Sequence, residues 1–327
     1  MKISSIISFP SLCCLLLALC AGGCSGEFNG GSESPGVPGP DDLVPLSVQT
    51  NLDTSVSTVD AVTRANVPAG GSIGVFCTTE NGYTAQNNIK YTTSNGSTWT
   101  PAASPLYLHG GLAHLCAYYP YGEVSLSGTT ATLTAQVYST AKDLCYAGSG
   151  GANVCNKTPE ATFSMTRAYS RLKVSINRAS TYLAIQGPCA ISSVGFACDG
   201  SNGYPARSFD LSTGTPGSSL TTAPRIPVSI PGIAIGATDT SCDFLLPPQD
   251  IASGGATLYV TVDGEERSVV IPASKFSESK LKSNSSYTIS VQVVGLATLV
   301  FQAITYDDGG WGSIPGSSNG DLAEVQP

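Results

Sequence analysis

Apolar and polar residues alternate with a period of two through most of the chain. Leu46 and Val48 alternate with Ser47 and Gln49, and Ile73, Val75 and Cys77 alternate with Gly74, Phe76 and Thr78. Ala131, Leu133, Ala135 and Val137 alternate with Thr132, Thr134, Gln136 and Tyr138, and Leu172, Val174 and Ile176 with Arg171, Lys173, Ser175 and Asn177. Leu258, Val260 and Val262 run into Asp263-Gly264, a dipeptide suited to a type I′ hairpin, and Tyr287, Ile289, Val291 and Val293 repeat the alternation. Successive side chains of a strand point to opposite faces, so this spacing predicts antiparallel strands with one face buried and the other wet. Helical signal is confined to one short turn around Ser274 to Leu281. Many short strands between Gly/Pro turns predict an all-β fold of two tandem β-sandwich domains, joined near residue 165.

The N-terminus departs from this pattern. Met1-Lys2 precedes an uncharged run from Ile3 to Leu19, then Cys20-Ala-Gly-Gly-Cys24. A cationic start, an apolar core and a small-residue exit describe a secretory signal, and Pro10 within the run argues against a membrane-spanning helix. Ala21-Gly22-Gly23-Cys24 resembles the lipobox of a bacterial lipoprotein, although Ala21 stands where Leu is usual. That resemblance implies acylation of Cys24, which becomes the new N-terminus. Residues 25–42 are rich in Gly, Ser, Pro and acid and predict a flexible tether, reaching roughly 25 Å. The expected layout is a leader at 1–23, a tether at 24–42, one domain at 43–165 and a second at 166–327.

Composition narrows the function. The chain carries 15 Lys+Arg against 23 Asp+Glu; without Lys2 of the leader this is 14 − 23, a net charge of −9. No basic patch suits nucleic acid, and an acidic surface disfavours anionic lipid. Charged residues make up 12% of the chain, about half the usual share, as in Ser/Thr/Gly-rich extracellular β proteins. Beyond the leader and Cys24 seven cysteines remain: Cys77, Cys116, Cys145, Cys155, Cys189, Cys198 and Cys242. Cys145 with Cys155 and Cys189 with Cys198 have the spacing of short disulfide loops, and burial as small apolar residues is the equal alternative.

Catalytic and metal chemistry lack their constellations. Gly70-Gly-Ser-Ile-Gly74 fits the G-x-S-x-G pattern, but Val75 to Thr78 continues as a strand where that elbow needs a helix, and Gly316-Ser-Ser-Asn-Gly320 matches it as cheaply. His109 and His114 are the whole histidine supply, and His114 and Cys116 alternate as core residues do. Asp199-Gly-Ser-Asn-Gly203 opens like a calcium loop without the later glutamate, and reads as a turn. The sequence therefore predicts no catalytic residues, no metal site and no cofactor.

Several segments in order resemble the fimbrillin family, subunits of type V pili on Gram-negative anaerobes. They are Val62-Thr-Arg-Ala65, Gly71-Ser-Ile-Gly-Val-Phe76, Tyr91 with Trp99-Thr-Pro101, Ala117-Tyr-Tyr-Pro-Tyr121, Asp143-Leu-Cys-Tyr-Ala147, Phe163 to Ile176, and Ser286-Tyr-Thr-Ile-Ser-Val291. The resemblance implies two transthyretin-like sandwich domains exported as a lipoprotein to the outer membrane, with other pilus subunits and a processing protease as partners. It also implies assembly by strand exchange. A trypsin-like cut at Arg64–Ala65 would free a first strand at about Val44 to Thr50, followed by a loop from Asn51 to Ala65. The opened groove would then take a donor strand from Leu296 to Tyr306 of another subunit, with Leu296, Leu299, Phe301 and Ile304 as its apolar residues and an extension through Trp311 to Ile314. Arg64 is the first Lys or Arg after Cys24. The alternative is a surface glycan-binding lipoprotein serving an outer-membrane uptake system, with Tyr118, Tyr119 and Trp99 as a stacking platform.

Overall fold

The computed structural model describes residues 39, 41–52, 69–96, 98–148, 154–198, 204–223, 225–235, 240–295, 298–307 and 311. The leader, Cys24, Arg64, Ala65 and Leu296 lie outside the described residues, as does the second G-x-S-x-G. The described part is all-β, with helix limited to three-residue 3-10 turns. Two of these, Ala273–Lys275 and Ser277–Ser279, fall where the sequence predicts its one helical turn. Residues 38–327 form a single compact unit.

Seven strands close into a ring in the order Cys145–Ala147, Glu160–Arg167, Ser47–Leu52, Thr98–Pro101, Gln86–Thr92, Ser72–Cys77 and Leu115–Tyr119, which returns to the first. Its interior holds Leu46, Val48, Ile73, Val75, Tyr91, Trp99, Leu115, Ala117, Phe163 and Met165, all buried. The predicted alternation places Leu46 and Val48 there correctly. For Ser72–Cys77 and Leu115–Tyr119, however, the outer face is dry as well. Phe76, Cys116 and Tyr118 point out of the ring into a second core shared with Ala131, Leu133, Phe209 and Leu245. Gly74 faces the same way, and a Cβ there would stand 2.2 Å from Tyr118 Cε1, so the ring of Tyr118 lies flat against bare backbone.

The C-terminal half is a sandwich. A five-stranded sheet runs Gln136–Val137, Thr240–Leu246, Ser170–Arg178, Ser286–Val294, Thr298–Asp307, and faces a four-stranded sheet ordered Ile226–Ile230, Ile191–Ala197, Ala256–Val262, Glu265–Ile271. Ser286–Val294 and Ala256–Val262 alternate strictly, and Tyr287, Ile289, Val291, Leu258, Val260 and Val262 meet between the sheets. Each such fully buried aliphatic contributes about 1.5–3 kcal/mol. Asp263 and Gly264 take φ of 51° and 87°, the left-handed pair that a type I′ turn requires.

The chain passes from ring to sandwich at Ala168–Tyr169, beside the predicted join. Two pairings nevertheless cross that line. The single strand predicted from Ala131 to Tyr138 is split: Thr130–Leu133 pairs with Tyr204–Asp210, and Gln136–Val137 with Thr240–Leu246. The break sits where the Thr134 amide donates to the Tyr169 hydroxyl at 3.3 Å in place of a ladder bond.

Candidate functional site

Two strands carry the functional expectations, and they are built differently. The N-terminal chain first pairs Val44–Pro45 with Tyr107–Leu108, then crosses at Leu46, whose amide donates to Leu106 O at 2.8 Å. Ser47–Leu52 then enters the ring, running parallel to Glu160–Met165 over six pairs and antiparallel to Thr98–Trp99. The strand extends to Leu52, beyond the expected end at Thr50, because Asn51 and Leu52 keep their pairing with Ser164 and Met165. Leu46, Val48 and Thr50 are 4%, 2% and 2% exposed. The Trp99 indole N–H donates to Thr50 Oγ1 at 3.0 Å, which satisfies the only polar side chain of that inner row. Without this strand the ring would open between Trp99 on one bank and Ala161, Phe163 and Met165 on the other.

Among the described ladders, Glu160–Met165 has no other strand partner. Its strand continues as Thr166 and Arg167, which pair with Tyr146 and Cys145. The slot for Ser47–Leu52 is thus bounded by a strand held mainly through the strand that fills it.

The C-terminal strand Thr298–Asp307 lies at the edge of the sandwich and pairs with Ser286–Val294 over nine positions. Leu299 is buried, and Phe301 and Ile304 are half-buried against the sandwich core. On the outer row Val300 is 40% exposed, and at the end of the inner row Tyr306 stacks on buried Tyr287 and is still 52% exposed. The described members of the expected donor set therefore close their own domain here.

Sequence reasoning names Trp311 only as an extension of the donor and does not anticipate its burial or its partner. Trp311 is buried, packed with Phe76, Tyr118, Leu144, Tyr169 and Leu245. Its ring lies 4.9 Å from the Arg167 guanidinium carbon. Arg167 is only 2% exposed, and its Nε donates to Asp143 Oδ2 at 2.8 Å. Burial pushes the Asp143 carboxyl up from its ordinary range, and the charge and hydrogen bond of Arg167 oppose that. Arg171 stacks on Tyr138 at 4.2 Å and pairs with Asp243 nearby. The signal for Arg167 is visible afterwards: Ala161, Phe163 and Met165 set a buried row, and Arg167 is the next member of it.

Other chemistry is sparse. His114 Nδ1 pairs with Glu80 at 2.9 Å, and His109 stacks on Tyr83 and accepts from the Gly111 amide through Nδ1. Among the described residues no group of three or more His, Cys, Asp or Glu is arranged to hold a metal. Cys77, Cys116, Cys145, Cys155, Cys189 and Cys242 carry free thiols, so neither Cys145–Cys155 nor Cys189–Cys198 forms a bridge. Burial raises the thiols of Cys77 to about 11 and of Cys116 and Cys242 to about 12, so they pack as small apolar groups rather than react. Tyr118, Tyr119 and Trp99 are 0%, 7% and 6% exposed, which removes them as a sugar-stacking surface.

Comparison with known proteins gives a consistent result. The fimbrillin-like family model matches residues 61–306, which is 246 of the 327 residues. No curated protein matches the chain. Among solved structures, a candidate cell adhesion protein from Bacteroides uniformis superposes with a TM-score of 0.55 at 19% identity, covering 81% of this chain and 98% of its own. A second, from Bacteroides ovatus, gives 0.52 at 17% identity over 80% and 97%. A fimbrial protein from Bacteroides vulgatus gives 0.50 at 12% identity over 82% and 99%. At these identities the structures speak for the fold, while the family match spans three quarters of the sequence. The chain belongs to the fimbrillin-like family.

Proposed function

We propose that this protein is a structural or accessory subunit of a surface pilus, supporting adhesion and assembled by strand exchange with further copies or related subunits. The observation that carries the reading is the place of Ser47–Leu52: an N-terminal strand, inserted between two neighbours of a closed ring, whose inward residues Val48 and Thr50 are buried. Most terminal strands sit at edges, and one built into a ring leaves a complete slot when it goes. The cut at Arg64–Ala65 by a trypsin-like protease would separate this strand, together with the lipid anchor at Cys24 in the outer membrane, from the body. The two modules at 43–165 and 166–327 then act as acceptor and donor ends. No catalytic step is assigned to the chain.

In this reading the donor's apolar residues are Leu296, Leu299, Phe301 and Ile304. As an edge element Thr298–Asp307 can leave by giving up one ladder, whereas a central strand would give up two. Filling the slot with about five large apolar side chains is worth roughly 8–15 kcal/mol before ordering costs. Main-chain pairing adds register and lifetime, as in other strand-complemented joints.

The test is limited proteolysis of the unlipidated chain, followed by size-exclusion chromatography. Trypsin should cut first after Arg64, the trimmed protein should elongate into chains, and Arg64→Ala should stay monomeric under the same treatment. Trimmed protein that remains a monomer at high concentration would remove strand exchange from the account.

A further inference from the structure

The Trp311–Arg167 contact joins the two ends of the exchange machinery. Arg167 terminates the strand whose first six residues pair with Ser47–Leu52. Met165, the last of those six, lies two residues from Arg167, about 6.6 Å along the strand. Trp311 follows the C-terminal strand by four residues and covers the guanidinium face of Arg167. A continuous physical path therefore runs from the N-terminal strand, through the Glu160–Arg167 ladder and the Arg167–Asp143 pair, to the C-terminal segment.

Loss of the N-terminal strand acts directly on this path. Once Ser47–Leu52 goes, Glu160–Met165 keeps no described ladder partner, and only the pairs of Thr166 and Arg167 with Tyr146 and Cys145 remain. A strand so loosened no longer fixes the guanidinium plane that Trp311 lies against. The indole then loses its cation–π partner and part of its apolar enclosure.

We propose that Trp311 is a latch that holds the C-terminal segment in its own subunit, and that removal of the N-terminal strand opens it through Arg167. The proposal rests on the strand-exchange reading above and adds a coupling to it: a subunit with a filled slot keeps its donor at home, and an emptied slot frees the donor. Premature assembly is thereby disfavoured without a separate inhibitor. The partner that benefits is a second copy of this chain presenting an open slot.

Emission is read on the full mature chain carrying Trp99→Phe, which leaves Trp311 as the sole indole, and assembly is read on trimmed chain that keeps Trp99 in the slot wall. The emission of Trp311 and its quenching by iodide are recorded before trimming, and again after trimming and separation of the released peptide, at a concentration too low for assembly. The expected result is a red shift with a several-fold rise in quenching on trimming alone. A second arm mixes untrimmed Trp311→Ala chain with trimmed wild-type chain, where the tail should be donated without any cut and capped complexes should form; untrimmed wild type should form none. If trimmed chains assemble while Trp311 stays blue and protected before assembly, the latch is wrong and strand exchange stands. If Trp311 is released and the trimmed protein never assembles, the latch stands and the pilus reading falls. If untrimmed Trp311→Ala caps no better than wild type, Trp311 is a packing residue only.

Discussion

The strand that enters the ring and the last described strand differ in apolar content, two of six residues against six of ten, and have opposite situations. Ser47–Leu52 sits inside a closed ring with neighbours on both sides, and Val48 is 2% exposed. Thr298–Asp307 sits at a sheet edge with one described neighbour, and Val300 is 40% exposed. A subunit built for strand exchange needs this asymmetry. The strand to be replaced must leave a deep, specific slot, and the replacing strand must be able to depart at modest cost. An ordinary two-domain β protein has no reason to build its N-terminal strand into a closed ring while leaving a ten-residue edge strand without a charge before Asp307.

The comparison can be broken most sharply at Val48. Val48→Asp places an unpaired carboxylate inside the ring and should cost more than about 4 kcal/mol, read as loss of the folded baseline in urea. Asp143→Ala comes next. It strips the partner from a buried guanidinium at the meeting point of the two regions, and should cost about 3–5 kcal/mol in the same assay.

A smaller effect separates the regions by pH. In the sandwich, burial alone would raise the Asp263 carboxyl, but hydrogen bonds from the Tyr182 hydroxyl and the Ala190 and Cys189 amides outweigh it and hold the group below its ordinary range. A lowered folded value means that its stabilisation is complete above the unfolded value of about 3.9 and is lost as pH falls through the folded one. Thermal melts of wild type should therefore drop on acidification below about pH 4, and Asp263→Asn should flatten that dependence. The smallest effect belongs to the edge strand. Val300→Asp should change stability by no more than about 0.5 kcal/mol, against the collapse expected from Val48→Asp. Comparable losses at both positions would erase the distinction.

Much of the fold was legible because one-sided burial writes itself into alternation. Ser286–Val294 and Ala256–Val262 follow it residue by residue, and Asp263-Gly264 announced its own turn. Alternation fails where a strand is buried twice. Phe76 read as an outer-face residue and proved to belong to a second core with Cys116 and Tyr118, because part of what covers it, Phe209 and Leu245, comes from far along the chain. It fails again at Thr134, where a side-chain hydroxyl from Tyr169 replaces a ladder bond. Of the candidate site, the N-terminal strand was visible as a period-two run. Its parallel partner at Glu160–Met165 was not, since nothing local encodes a pairing across more than a hundred residues. Trp311 stood in a Gly/Ser-rich tail, and only the fold reveals that a buried arginine waits beneath it.

The central claim concerns which residue heads the chain once it is part of a fibre. N-terminal sequencing of this protein recovered from material sheared off the cell surface decides it. The account predicts a chain beginning at Ala65, with the preceding residues left behind at the membrane. Fibres whose subunits still carry the segment around Val48 would contradict it.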